Sequence, residues 1–165
     1  MRHDPAHAHI LVVDDQEIHI RLLRHILTDA GFRNVTGFTD PREAVASFER
    51  VRPDIVLLDL MMFPIDGFTV LRQMQELMPD DFIPVVILTA DVNPEHRRRA
   101  LTLGAKDFLA KPFDLDEVVL RIRNLLETRF LYLKMRDLAA ANGSAVRDQF
   151  EDVEERRQHD VVAHT

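Results

Sequence analysis

Five side chains able to do chemistry stand just after, or at the end of, short apolar runs in this chain of 165 residues. Asp14 and Asp15 follow HILVV, Asp59 follows DIVLL, Thr89 follows PVVIL and Lys111 follows DFLA. Three carboxylates brought into one cleft repel one another, so such a triad requires a cation among them. An all-oxygen site suits a hard divalent ion, and Mg²⁺ takes one or two carboxylates together with phosphate oxygens. Lys111 adds a point positive charge and Thr89 a hydroxyl. Metal, cation and hydroxyl around a carboxylate nucleophile describe a site for a phosphoryl group in transfer. The sequence has no Gly-rich phosphate loop, which argues against a nucleotide substrate.

These residues meet only if the apolar runs are neighbouring strands. HILVV (9–13), the weaker run Val35 to Phe38, DIVLL (54–58), IPVVIL (83–88) and Lys106 to Leu109 each have the length and β-branched content of a buried strand. Helical patterns alternate with them. Ile18, Leu22, Leu23, Ile26 and Leu27 draw a stripe that closes at Gly31. Thr39 or Asp40 caps a helix with Pro41 in its first turn and Ala44, Val45 and Phe48 buried. Asp66-Gly67 opens a helix with Phe68, Leu71, Met74 and Leu77 or Met78 on one side, and a short helix runs from Pro94 to Leu103. A fifth helical pattern begins at Leu115. Five strands alternating with five helices predict an α/β fold with a five-stranded doubly wound parallel sheet of the flavodoxin-like kind. Ligands of such sheets bind beyond the carboxyl ends of the strands, where all five side chains would converge.

Composition narrows the classes. The net charge is −7 with 46% hydrophobic and 30% charged residues, a globular balance without a basic field for nucleic acid. With no cysteine, disulfide frameworks, thiolate metal sites and Cys nucleophiles are excluded. No run approaches the ~20 apolar residues of a membrane span, and MRHDPAHAH lacks the apolar core of a signal peptide. These features predict a cytoplasmic protein without membrane contact.

VVDDQE, LLDLMMFPIDGF, VVILTAD and GAKDFLAKPFD resemble, in order, four signatures of the response-regulator receiver domain, the CheY-like superfamily. The intervals from Asp15 to Asp59 (44), Asp59 to Thr89 (30) and Thr89 to Lys111 (22) are similar to that family's spacing. The resemblance implies a two-component phosphorelay module, not itself an enzyme. Asp59 would accept a phosphoryl group from a histidine kinase or phosphotransfer protein. Mg²⁺ would bind Asp15, Asp59 and the backbone carbonyl of Met61, with Asp14 acting through water. Lys111 would pair first with Asp59 and then with the phosphoryl oxygens, Thr89 would swing toward the new group, and Phe108 would turn inward behind it. The Lys111-Pro112 peptide would be cis.

One position departs from the family pattern: Phe63 stands where Pro is usual, and Pro64 follows, leaving the Asp59-to-Gly67 interval unchanged and Phe63 exposed. Taken singly, Thr89 reads as a helix cap, Phe108 as core and Lys111 as a surface lysine; their coincidence with the acid pair favours the phosphoryl site. An Asp-nucleophile phosphatase of the haloacid-dehalogenase type would need Asp-x-Asp, which Asp14-Asp15-Gln16 does not supply. A pseudo-receiver acting only through protein contacts would not need the intact acid pocket. His3, His7 and His9 read as part of a flexible end, residues 1–7, rather than a metal site.

The receiver is expected over 8–127, with a helical extension or linker over 128–165. Apolar residues continue to Leu138, so the last helix is expected to reach Ala141. Asn142-Gly143-Ser144 then reads as a stop before a short helical tail with Val146, Phe150 and Val153. Leu126, Phe130 and Leu133 are expected to project beyond the receiver body and to pair a homodimer. The tail carries 6 Lys plus Arg against 7 Asp plus Glu, a balance unlike a DNA-binding output. RIRNLLETRFLYLKMRD resembles helices that join receivers to outputs, among them HD-GYP cyclic-dinucleotide phosphodiesterases.

Overall fold

The computed structural model describes the backbone of residues 4–162 and the side chains of residues 4–143. Five strands, β1 (His9–Val13), β2 (Asn34–Phe38), β3 (Ile55–Asp59), β4 (Val85–Thr89) and β5 (Asp107–Ala110), form one parallel sheet in the order β2-β1-β3-β4-β5. Helices α1 (Glu17–Asp29), α2 (Pro41–Val51), α3 (Gly67–Leu77), α4 (Pro94–Thr102) and α5 (Leu115–Val162) supply the crossovers and the C-terminal extension. β3 is buried at every position, as a central strand covered on both faces must be. The caps are local chemistry: the carboxylates of Asp40 and Asp66 accept from the N–H groups of Arg42 and Thr69. Gly31 and Gly104 end α1 and α4 at φ 96° and 104°, a region that favours glycine.

Four expectations are corrected, the last of them at the C-terminal end of the receiver. On α1 the buried face is Ile20, Leu23, Ile26 and Leu27, while Ile18 and Leu22 are exposed. The sequence offers two overlapping stripes about a third of a turn apart, and the sheet selects one. Residues 4–7 are not loose: Pro5–His7 form a 3₁₀ turn capped by Asp4, and the Ala6 and His7 carbonyls accept from Arg33 N–H and the Asn34 amide. His7 and His9 pair with Asp4 and Thr36. Third, α5 runs through Asn142-Gly143-Ser144 without a break. One internal Gly costs a helix only ~1 kcal/mol, which flanking Ala-rich sequence offsets. The side chains of Val146, Phe150 and Val153 lie outside the described residues.

The chain divides into a unit of Met1–Arg129 and a unit of Phe130–Thr165. Leu126, Phe130 and Leu133, expected to be exposed, are 0%, 6% and 8% exposed. Within the first unit, Arg129 is buried as well. Its buried guanidinium donates to Asp81 and to the Phe82 carbonyl (2.7 Å), and Asp54 lies 3.6 Å away. Beyond Arg129, the large apolar residues left exposed among the described residues are Leu131, Met135 and Leu138.

Candidate functional site

The order in which successive strands are added reverses between β1 and β3, which opens a crevice beyond their carboxyl ends. Val13 lies opposite Leu58, so the next residues, Asp14 and Asp59, emerge side by side there. Thr89 lies opposite Ala110, and the Lys111 N–H donates to the Thr89 carbonyl (2.9 Å), which brings the lysine to the same edge. The Lys111–Pro112 peptide is cis; so is Phe63–Pro64, which the sequence did not signal.

Carboxylate oxygens of Asp14, Asp15 and Asp59 lie within 4.8 Å of one another. Asp14 and Asp59 are 0% and 3% exposed, and Asp15 is exposed. Lys111 Nζ stands between the buried pair, 2.8 Å from Asp14 Oδ2 and 3.5 Å from Asp59 Oδ1. Backbone N–H groups orient all three acids: Gln16 donates to Asp14 (2.9 Å), Phe63 to Asp15 (3.3 Å) and Met61 to Asp59 (3.3 Å). Gly67 donates to the Leu60 carbonyl (2.9 Å) and packs so closely that a Cβ there would sit 2.2 Å from the Asp59 carbonyl oxygen. Only glycine admits that approach. It brings the start of α3 directly against the backbone of Asp59.

Burial holds the Asp59 carboxyl above the usual carboxylate range, and the charge of Asp14 pushes it further; Lys111 and the Met61 N–H oppose them. Three carboxylates against one ammonium leave an excess of negative charge in a crevice lined by oxygen donors. That donor set is compatible with Mg²⁺. No other group of His, Cys, Asp and Glu with metal-ligand proximity occurs among the described residues.

Two features escaped the sequence reading. His19, on the first turn of α1, places Nδ1 2.9 Å from Asp14 Oδ2 and 3.1 Å from Lys111 Nζ, with its ring edge-on to Phe113. The five-residue step from Asp14 to His19 across a loop and a helix start was the available signal. The second is Asp91, whose carboxylate pairs with His96 and accepts from the Asn93 N–H (2.8 Å). Thr89, Asp91, His96, Arg97, Phe108 and Lys111 line a cavity of about 220 Å³. The Phe108 ring is half-buried, with the Arg97 guanidinium 4.6 Å from its centroid.

Residues 10–123 match the response regulator receiver domain. The chain is 38% identical over 125 residues to the transcriptional regulatory protein TrcR of Mycobacterium tuberculosis, covering 76% of this chain and 48% of that protein. It is 40% identical over 134 residues to the response regulator PleD of Caulobacter vibrioides, covering 81% and 29%. To the alkaline phosphatase synthesis transcriptional regulatory protein PhoP of Bacillus subtilis it is 33% identical over 144 residues, covering 86% and 55%. It thus spans about half or less of these relatives. Among solved structures, NtrX from Brucella abortus superposes with a TM-score of 0.72 at 33% identity, covering 80% of this chain and 29% of that one. The chemotaxis protein CheY4 of Vibrio cholerae gives 0.68 at 28%, covering 72% and 98%. With the β2-β1-β3-β4-β5 sheet and its acidic crevice, these matches identify the chain as a member of the response-regulator receiver family, a phosphorelay signalling domain of two-component systems and not itself an enzyme.

Proposed function

We propose that Asp59 is the phosphoacceptor and that the donor is the phosphohistidine of a histidine kinase or phosphotransfer protein. A carboxylate oxygen of Asp59 forms the new O–P bond as the N–P bond of the phosphohistidine breaks. The imidazole nitrogen leaves with the bonding electron pair and takes up a proton. The observation that carries this reading is Lys111 Nζ bridging two buried carboxylates at the crevice floor. An ammonium so placed neutralises the pocket before transfer and meets the phosphoryl oxygens after it. Asp15, Asp59 and the Met61 carbonyl would hold Mg²⁺, with Asp14 acting through water. Bound there, the ion supplies charge neutralisation to the phosphoryl oxygens. Thr89 then turns its hydroxyl to the new group and Phe108 follows inward, carrying the change to α4 and β5.

The test is labelling by a small acyl phosphate with and without a chelator. Wild type incorporates a phosphoryl group only with Mg²⁺ present. Lys111→Ala retains Mg²⁺ binding but loses the coupling of phosphorylation to conformational change, read from amide chemical shifts of α4 and β5. Metal-independent labelling of wild type contradicts the reading.

We also propose that the chain pairs with a second copy through α5. The motivating residues are Leu131, Met135 and Leu138, exposed and spaced four and three apart, and no longer Phe130 and Leu133. Each such side chain gains about 1.5–3 kcal/mol when fully buried. Sedimentation at tens of micromolar should show a dimer that Leu131→Glu/Leu138→Glu converts to monomer. Monomeric wild type, with and without a phosphoryl mimic, would remove the dimer.

A further inference from the structure

The loop between β4 and α4 is fastened at every step. The Thr89 hydroxyl oxygen accepts from the Asp91 N–H at 2.9 Å. One oxygen of the Asp91 carboxylate accepts from the Asn93 N–H, and the other pairs with His96 Nδ1, on the first turns of α4. Asn93 in turn caps α4 by accepting from the Glu95 N–H at 2.9 Å. The His96 ring leans edge-on against Phe68 of α3, 5.8 Å between centroids, and the Arg99 guanidinium lies 4.2 Å from the Phe68 centroid. An unbroken series of contacts therefore runs from the Thr89 hydroxyl to a ring on the neighbouring helix. Its members Thr89, Asp91, Asn93 and His96 line the same cavity as Phe108 and Lys111.

We infer that His96 is a positioning residue for the phosphoryl switch, holding Asp91 so that the Asp91 N–H keeps the Thr89 hydroxyl turned away from Asp59. This rests on the proposed roles of Asp59 and Thr89. In this inference the Thr89 side chain rotates toward Asp59 to donate to a phosphoryl oxygen, and in doing so releases the Asp91 N–H. The free energy of that release is set one step back, by the bond that fixes the Asp91 carboxylate. Asp91 is held low in its range first by His96 and then by the Asn93 N–H, so it is ionised and the pair is charge-assisted whenever His96 carries a proton. His96 thereby opposes the switched arrangement without touching Asp59, the metal ligands or Lys111.

The experiment measures the affinity of the full chain for beryllium trifluoride, a phosphoryl mimic, by fluorine NMR with Mg²⁺ present. Loss of one partly exposed charge-assisted bond predicts that His96→Ala binds the mimic about fivefold more tightly than wild type. Asp91→Ala, which keeps the N–H but removes the carboxylate, should match it, and the double variant should be no tighter than either single one. His96→Asn, whose amide N–H can still donate to Asp91, should return the affinity toward wild type. Mg²⁺ affinity without the mimic, measured by calorimetry, should be the same in all four, which separates a released switch from a damaged fold. Unchanged or weakened affinity in His96→Ala, additive single effects, or no rescue by His96→Asn would each overturn the inference. If wild type itself binds no mimic, the phosphoacceptor reading fails and this inference with it.

Discussion

Asp59 bears its negative charge against its surroundings. Burial and the charge of Asp14 raise its carboxyl above the ordinary range, and Lys111 offsets them only in part because it is shared. A carboxyl raised in the folded state binds protons more tightly there than in the unfolded chain. Its stabilising contribution is complete at pH values below the ordinary carboxylate range and is lost as pH rises through the folded value. Metal-free Asp59→Asn should therefore be more stable than wild type at neutral pH by the order of 1 kcal/mol. The gain should shrink toward zero below about pH 4. Thermal denaturation across that range checks both, and a neutral-pH melting point below that of wild type would refute the sign. Met61, 65% exposed, presents a thioether at the mouth of the same crevice, where it cannot orient water for in-line attack. Met61→Asn should accordingly shorten the lifetime of the phosphorylated protein several-fold, measured as release of inorganic phosphate; an equal or longer lifetime would discard that role.

At the scale of elements, the sequence was most readable where one interaction decides the outcome. Apolar runs of strand length fixed β1, β3 and β4; Asp40, Asp66 and Pro94 fixed helix starts; Gly31 and Gly104 fixed two ends. It was least readable where two local choices are nearly equal and packing selects. Ile18 and Leu22 compete with Ile20 for the buried side of α1, and only the sheet breaks the tie. The same holds for the start of the extension. Leu126 was assigned to a projecting helix because nothing local marks it as core, yet it is fully buried, and Arg129 two residues before Leu131 is anchored to Asp81 and Phe82. The acidic site was legible residue by residue because strand ends are legible; His19, Asp91 and His96 were not, since their partners are set by loop shape. Leu126→Ala should therefore lower the unfolding free energy by about 2–5 kcal/mol in the monomer, as a core cavity does. Denaturant unfolding reads this directly, and a loss below about 0.5 kcal/mol would place Leu126 on the surface instead.

Across the whole molecule, a receiver with a shared lysine at its floor contributes the first turns of a helix of 48 residues, α5, and Arg129 on that helix is anchored within the first unit. No helix among the described residues is long and apolar enough to cross a membrane. A state change confined to the crevice reaches the rest of the chain through the elements packed there, among them α1 through His19, α4 through the Asp91–His96 pair, β5 through Phe108 and Lys111, and α5 through the Arg121 bridge to Asp107 (2.7 Å). All of this depends on one bond. The full chain, incubated with a small acyl phosphate and Mg²⁺, should gain a single phosphoryl group in its intact mass. Peptide mapping should place that group on Asp59, and Asp59→Asn should gain none. Undiminished labelling of Asp59→Asn, or a phosphoryl group mapped to any other residue of the wild type, would contradict the assignment of Asp59 as acceptor.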